Sequence, residues 1–339
     1  DLTHADQRRG FTRSRGRSRG SAASVNPVIP WQQAWQDALY GPAGFYRSPE
    51  GPAGHFTTST HPPLGAVFAR AIAALADRED TGMVVDFACG RGELLRALHV
   101  VRPDLELVGV DVVDRPKDLP PGIEWIRAAG GSAVPDALAG LADVLVLANE
   151  WLDVVPCQIA QVDDAGVLRV VLVDPRSGRE SLGDEVDREA REWADRWWRT
   201  EAPGNRVEVG ISRDRAWAGL VEAVGTGTVV AIDYGHTAGD RPTEGTLAAY
   251  RLGVPVPTVP DASCDLTAHV AMDSLPGATL QSQHDALLSL GLAVEHPPVE
   301  LAHSDPARYL ADLSRRGAVA QLTDPTGLGA FRWAQIRIG

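Results

Sequence analysis

The sequence predicts an α/β fold: a seven-stranded, mostly parallel sheet with an antiparallel edge, preceded by a helical cap and interrupted by an inserted hairpin and helix segment. Three observations predict it. An apolar run, Met83-Val84-Val85, leads into Asp86 and the turn Ala88-Cys89-Gly90-Arg91-Gly92, after which helical spacing restarts at Glu93-Leu94-Leu95-Arg96-Ala97-Leu98. A second apolar strand, Leu105 to Asp111, again ends in an acid. A further one, Ala142 to Ala148, runs into Asn149-Glu150-Trp151-Leu152-Asp153. All three endings fall at the carboxyl edge of one parallel sheet, where open α/β folds bind ligands.

The remaining elements follow in order. Trp31 to Tyr40 has amphipathic helical spacing and stops at Gly41-Pro42; after a loop through Gly54, a second helix is expected from about Leu64 to Ala76. Residues 26–80 therefore read as an N-terminal helical cap and residues 81–339 as the core. Ile123 to Arg127 is the third strand. Residues 157–173, two β-rich arms around Gly166, read as a hairpin, Leu182 to Trp198 as a strongly charged helix, and Ala216 to Val224 as another helix. The stretch 156–225 is too long for an ordinary crossover and reads as an insertion. Gly227 to Asp233 is the fifth strand, and strands at about 293–301 and 331–338 would complete the sheet.

Composition narrows the function. In 339 residues, 44% hydrophobic, no run approaches the roughly 18 apolar residues that a membrane span requires. Cys89, Cys157 and Cys264 are odd in number and far apart. They suggest neither a disulfide framework nor a metal cluster, and a reducing, cytoplasmic setting fits. A net charge of −13 argues against nucleic acid as a partner, although it suits a basic peptide. Residues 1–25 differ: Arg8, Arg9, Arg13, Arg15, Arg17 and Arg19 stand among glycine and serine with little to bury, the pattern of a disordered tail. Setting aside the six arginines and two aspartates of residues 1–20 leaves 26 basic and 43 acidic residues, a body of net charge −17.

The loop after the first strand has the pattern Asp86-x-Ala88-x-Gly90-x-Gly92 rather than the three-glycine dinucleotide fingerprint. It resembles the first motif of class I S-adenosylmethionine-dependent methyltransferases. Glycine lets the backbone approach a ligand or take positive φ, and a carboxylate at Asp86 complements an ammonium and a cationic sulfonium. Asp111, 19 residues past Gly92, stands where the second strand of such a unit offers a carboxylate to ribose hydroxyls. Glu150 and Asp153, three apart, point the same way if the chain turns helically, and a carboxylate pair suits a guanidinium whose pKa exceeds roughly 12. Plainer readings exist for each: a tight strand-to-helix turn, an acid ending a strand, a helix N-cap at Asn149.

Several blocks then make the resemblance specific. Tyr40-Gly-Pro-Ala-Gly-Phe-Tyr46, Gly54-His-Phe-Thr-Thr-Ser59, Ala148-Asn-Glu-Trp-Leu-Asp-Val-Val-Pro156, Ile232-Asp-Tyr-Gly235, Gly245-Thr-Leu-Ala-Ala-Tyr-Arg251 and Asp265-Leu-Thr-Ala-His-Val270 occur in the order of the MidA-like family, which includes the mitochondrial complex I assembly factor arginine methyltransferases. The likeness runs from about Trp31 to the C-terminus. It implies a class I methyltransferase, Rossmann-like fold, S-adenosyl-L-methionine as cofactor, and methylation of an arginine in a protein partner, a respiratory complex I subunit being the family's characterised kind of substrate. Three positions depart from the family: its Gly-Pro-Gly-Arg-Gly loop is Ala88-Cys-Gly-Arg-Gly92, its Thr-Ser-Pro-Glu block ends in Ser59-Thr60-His61, and Asp111-Val-Val-Asp114 replaces its Glu-x-Ser-Pro.

The expected site is accordingly Glu150, Asp153 and His269 for catalysis, with Asp265 orienting a proton relay through His269. Thr57, Thr58, Ser59, Asp86, Ala88, Gly90, Gly92, Asp111 and Asn149 would hold the cofactor, and Tyr234, Arg251 and Asp265 the substrate. No metal is expected. A methyltransferase acting on a small molecule, or a non-catalytic assembly protein that keeps the sheet, are the alternatives the sequence leaves open.

Overall fold

The computed structural model describes residues 27–48, 59–293 and 296–339. Thr57 and Thr58 lie outside the described residues, as does the arginine-rich segment.

Seven strands form the central sheet: β1 (Met83–Phe87), β2 (Glu106–Asp111), β3 (Ile123–Arg127), β4 (Val144–Asn149), β5 (Gly227–Asp233), β6 (Thr279–Ser282) and β7 (Arg332–Ile338). Their spatial order is β3-β2-β1-β4-β5-β7-β6. The pairings from β3 through β5 are parallel, whereas β7 runs antiparallel to both β5 and β6, so the sheet is mixed. Chain order reverses between β1 and β4, and the crevice above that reversal is where a ligand has room between diverging loops.

Eight helices accompany it among the described residues: α1 (Trp31–Tyr40), α2 (Gly65–Arg78), α3 (Glu93–Val101), α4 (Arg188–Trp197), α5 (Ile211–Ala223), α6 (Gln283–Ser289), α7 (Leu301–Ser304) and α8 (Pro306–Thr323). Strand residues alternate between two cores. Val84, Leu145, Leu147, Val230 and Ile232 meet α2, α3, α6 and α8 on one face, while Val85, Val144, Val146, Val229 and Ala231 meet α5 on the other. This period of two explains why β1, β4 and β5 are apolar throughout: both faces are covered.

The insertion builds a second, antiparallel sheet. Gln158–Val162 and Leu168–Val173 form the expected hairpin, joined by Arg206–Val209, Glu180–Glu185 and the short strand Ile29–Pro30. Helix α1 packs there through Trp31, Trp35 and Leu39, and Trp35 Nε1 donates to the carbonyl of Leu266 at 3.1 Å. Helix α2, by contrast, packs on the central sheet.

Two expected elements differ. Leu182–Trp198 is not one helix: Glu180–Glu185 pairs with Leu168–Val173, and α4 begins only after Asp187, whose side chain caps it by accepting from Ala190 N at 2.8 Å. Charge along 182–192 masked a half-exposed strand that has only one face to bury. The seventh strand is not 293–301 but Thr279–Ser282, since Leu301–Ser304 is helical and β7 pairs with β6. As the sheet's edge, β6 is short and polar and shows little apolar periodicity.

One glycine sets how closely the α3 layer approaches the loop. A Cβ at Gly109 in β2 would stand 2.7 Å from Trp125 and 2.8 Å from Leu95. Gly109→Ala is expected to lower the free energy of urea unfolding by about 1–3 kcal/mol through overpacking, with the midpoint falling and the slope unchanged.

Candidate active site

The glycine turn between β1 and α3 is built from backbone conformations that side chains resist. Ala88, Gly90 and Gly92 have φ of 59°, 60° and 77°. Asp111 fixes the turn from the neighbouring strand: its Oδ2 accepts from Gly90 N at 2.8 Å and its Oδ1 from Val113 N at 3.2 Å. Glu93 at the start of α3 accepts from Arg91 N at 3.0 Å. Burial nonetheless raises the Asp111 pKa to about 6, and burial with the Glu93 and Asp111 charges holds Asp86 well above the ordinary carboxylate range.

Across the β1–β4 crevice, β4 delivers Asn149 and Glu150. Glu150 has φ of 54°, an uncommon conformation for a residue with a side chain, of the kind retained where structure over-determines it. Both its oxygens are engaged: Oε1 accepts from Asn149 Nδ2 and Oε2 from the Tyr234 hydroxyl, each at 3.0 Å. Burial, then repulsion from Asp153, pushes its pKa up to about 7. Asp153 follows in a short 3₁₀ turn, with Oδ2 accepting from Thr267 Oγ1 at 2.6 Å. Buried Asp233 holds the same turn by its backbone, its oxygens receiving Leu152 N and Asp153 N at 3.0 and 3.4 Å. Burial, then the Asp153 charge, raises the Asp233 pKa; burial also raises Asp153, an effect that the Thr267 hydroxyl and the Arg213 charge oppose.

The two walls enclose one cavity of about 530 Å³. Asp86, Glu93, Asp111, Glu150, Asp153 and Asp265 all line it, and among the described lining residues Arg91 is the sole arginine or lysine.

The structure brings most of the expected residues to this cavity. Ala88, Gly90, Asn149, Tyr234 and His269 line it with the acids; Ser59 is fully buried just ahead of Thr60 and His61, which do. Gly92 supports the turn, since a Cβ there would stand 2.9 Å from Leu119. His269 stacks on Tyr234 with ring centroids 6.0 Å apart, and burial lowers its pKa. Two expectations are corrected. Asp265 bonds to the Tyr46 hydroxyl at 2.7 Å rather than to His269, and burial raises it to about 8. Arg251 does not line the cavity; its side chain turns to the Ser263 carbonyl at 2.9 Å and the Ser263 hydroxyl, because its strand presents Tyr250 inward instead.

Sequence reasoning missed Arg213, Tyr46 and the part played by Asp233. Arg213 is buried in α5, donating to the carbonyls of Val155, Asp153 and His269 at 3.1, 2.8 and 2.8 Å. A signal existed: Arg213 shares the helical face of Ala216, Trp217 and Leu220, where a charge is out of place unless it has buried acceptors.

The fold and cavity are those of a methyltransferase. Residues 101–288, more than half of the chain, match the family described as "Putative S-adenosyl-L-methionine-dependent methyltransferase", and the chain belongs to that family. Its relation to the MidA-like proteins is thereby established. Among solved structures, a COG1565 superfamily protein from Burkholderia thailandensis with S-adenosyl-homocysteine bound is 22% identical, with a TM-score of 0.69 over 91% of this chain and 88% of that one. A native structure of a COG1565 superfamily protein from the same organism is 23% identical, with a TM-score of 0.68 over 91% and 87% of the two chains. These likenesses show the fold. No curated protein matches the chain.

The cofactor is S-adenosyl-L-methionine, and the residues present fit it. Asn149 Oδ1 is buried without a hydrogen-bond partner among the described residues and lines the cavity, an acceptor suited to an ammonium. The acids whose pKa burial raises are groups whose charged form a sulfonium and an ammonium would favour. Ala88 is the one misfit, a left-handed alanine costing on the order of 1 kcal/mol where glycine costs nothing. Ala88→Gly is expected to raise apo-protein stability by about 1 kcal/mol in thermal or urea unfolding without weakening the cofactor. Asp111→Ala is expected to weaken S-adenosyl-homocysteine in calorimetry by roughly ten- to a hundredfold. Because Asp111 also receives Gly90 N and Val113 N, the same change is expected to lower the apo-protein melting temperature.

Proposed function

We propose that the protein transfers a methyl group from S-adenosyl-L-methionine to an arginine side chain of a protein substrate. The observation that carries this reading is the pair Glu150 and Asp153, each oriented by a neighbouring side chain, in a cavity lined by six carboxylates. A neutral acceptor has no use for so many buried acids; a guanidinium does, because it offers several N–H donors and remains charged when desolvated.

In this reading Asp86, Asp111 and Asn149 hold the cofactor beside the Gly90 turn, with Ser59 buried near the cavity. When bound, the cofactor supplies a methyl group on a positively charged sulfur. Tyr234 and Asn149 orient Glu150, Thr267 orients the Asp153 carboxylate and Asp233 holds its backbone, and in this reading both carboxylates receive the guanidinium. Fixing the acceptor nitrogen in line lowers the barrier by up to about 7–11 kcal/mol at ideal alignment. Glu150, with a pKa of about 7, takes the proton that the methylated nitrogen sheds, and neutral His269 stacked on Tyr234 passes it outward. Three free, buried cysteines fit work in the cytoplasm, and a complex I subunit is the first protein substrate to try.

Glu150→Gln is expected to reduce methyl transfer to a candidate arginine peptide by at least about a hundredfold while cofactor affinity stays within a few-fold, measured with tritiated cofactor and by calorimetry. Wild-type transfer in that variant would remove Glu150 from the chemistry. A pH effect separates this from simple damage. The folded-state pKa of Glu150, about 7, lies above its ordinary 4.5, so the folded protein holds the extra proton between those values and loses stability as pH rises through them. Glu150→Gln is therefore expected to raise the apo-protein melting temperature at pH 8 relative to wild type, with the gain vanishing near pH 4.

A further inference from the structure

The acidic cavity and the arginine-rich segment at the other extreme of the charge distribution belong to the same chain. We propose that residues Arg8 to Arg19 are a substrate of the chain's own active site: the segment docks in cis and at least one of its arginines is methylated there. The inference rests on the guanidinium reading of the cavity given above.

Charge complementarity is the first support. Six arginines fall within residues 8–19, in a chain whose residues from 21 onward carry a net charge of −17. The cavity concentrates that charge, with Glu150, Asp153 and Asp265 among its lining residues. The spacing suits the site as well. Arg13, Arg15, Arg17 and Arg19 alternate with serine and glycine, so one guanidinium can enter while its neighbours are small and the next arginines remain at the rim.

Reach is the second support. The described chain enters through Ile29–Pro30, anchored on Leu168–Val173, and continues directly into α1, whose last residue, Tyr40, lines the cavity. Ten helical residues span about 15 Å. Twelve extended residues, the separation of Arg19 from Trp31, span at most about 40 Å, and Arg8 reaches farther still. All six arginines are therefore within range of the cavity their own chain encloses. Tethering at this distance holds the segment at an effective concentration in the millimolar range, above that of most free protein substrates.

The chemistry balances without any further reagent. One guanidine nitrogen gains the methyl carbon, the sulfur–carbon bond breaks and its electron pair stays on sulfur as the thioether, and the proton displaced from nitrogen leaves through Glu150 to solvent. The bound product, now a methylated arginine, keeps its charge but loses a donor, which weakens bidentate pairing with the carboxylates and favours release.

The test uses the full chain with S-adenosylmethionine carrying a tritiated methyl, and locates the label by tandem mass spectrometry of proteolytic peptides. Label is expected on one or more of Arg8, Arg9, Arg13, Arg15, Arg17 and Arg19. Its first-order rate should stay constant over a roughly hundredfold dilution of protein, and Glu150→Gln should abolish it. A companion reaction supplies a synthetic peptide of residues 6–20 to the chain in which those six arginines are replaced by lysine; the peptide is expected to be methylated. Methylation of the peptide without labelling of the intact chain would overturn the inference and leave the arginine reading standing. A rate that falls with dilution would assign the segment to the cavity of a second copy and overturn docking in cis. If neither is methylated although calorimetry shows cofactor binding, the guanidinium reading itself falls, and the inference with it.

Discussion

The constraint on which the structure turns is the confinement of six carboxylates around one cavity in water-poor surroundings. Five of them are costly: burial raises Asp86, Asp111, Glu150, Asp153 and Asp265 above their ordinary range, so the folded chain is strained electrostatically in the neutral pH range. The offsets are local. Glu150 has Asn149 and Tyr234, Asp153 has Thr267 and Asp233, Asp265 has Tyr46, and Asp111 has two backbone N–H groups. Hydrogen bonds hold these acids in place without neutralising them, and the charge that would neutralise them comes with ligands. Stability has been given up at the place where binding recovers it.

Geometry then follows from the fold. A parallel strand ends with its last side chains beside the next loop, so β1, β2 and β4 bring Asp86, Asp111 and Glu150 to one edge although 64 residues separate the first from the last. The central sheet alone would leave that edge open to water. Tyr40 and Tyr46 from the α1 region close it from one side, and Asp265, Thr267 and His269 from the segment after β5 close it from another.

How much of this the sequence disclosed depends on whether a residue's role was set locally. The apolar runs of β1, β2, β4 and β5 are buried on both faces and are legible, as is the acid or glycine at each strand end. Edge strands are not: Thr279–Ser282 and Glu180–Glu185 have half-exposed or polar sequences because only one side or face is packed, so propensity gave no strand signal and charge suggested a helix. In the site, Glu150, Asp153 and Asp111 were legible from position relative to strands. The Tyr46–Asp265 bond was not, since 219 residues separate the partners and neither sequence neighbourhood implies the other. Arg251 misled for a related reason: within a short strand the side of the sheet that a residue faces decides its role, and Tyr250 faces the cavity.

Arg213 shows why the insertion matters to the chemistry rather than only to the outline of the molecule. Its guanidinium ties together carbonyls of Asp153 and Val155, in the turn after β4, and of His269, which lines the cavity. Trp35 of α1 lies against the same guanidinium at 5.6 Å. One buried cation thus joins the turn after β4, the strand pair behind His269, helix α5 and helix α1. Its charge opposes the rise that burial causes in the Asp153 pKa, while its three hydrogen bonds go to backbone oxygens rather than to that carboxylate. The cation that supports the Asp153 charge is thus held on backbone oxygens, leaving the carboxylate itself to Thr267 and to what enters the cavity.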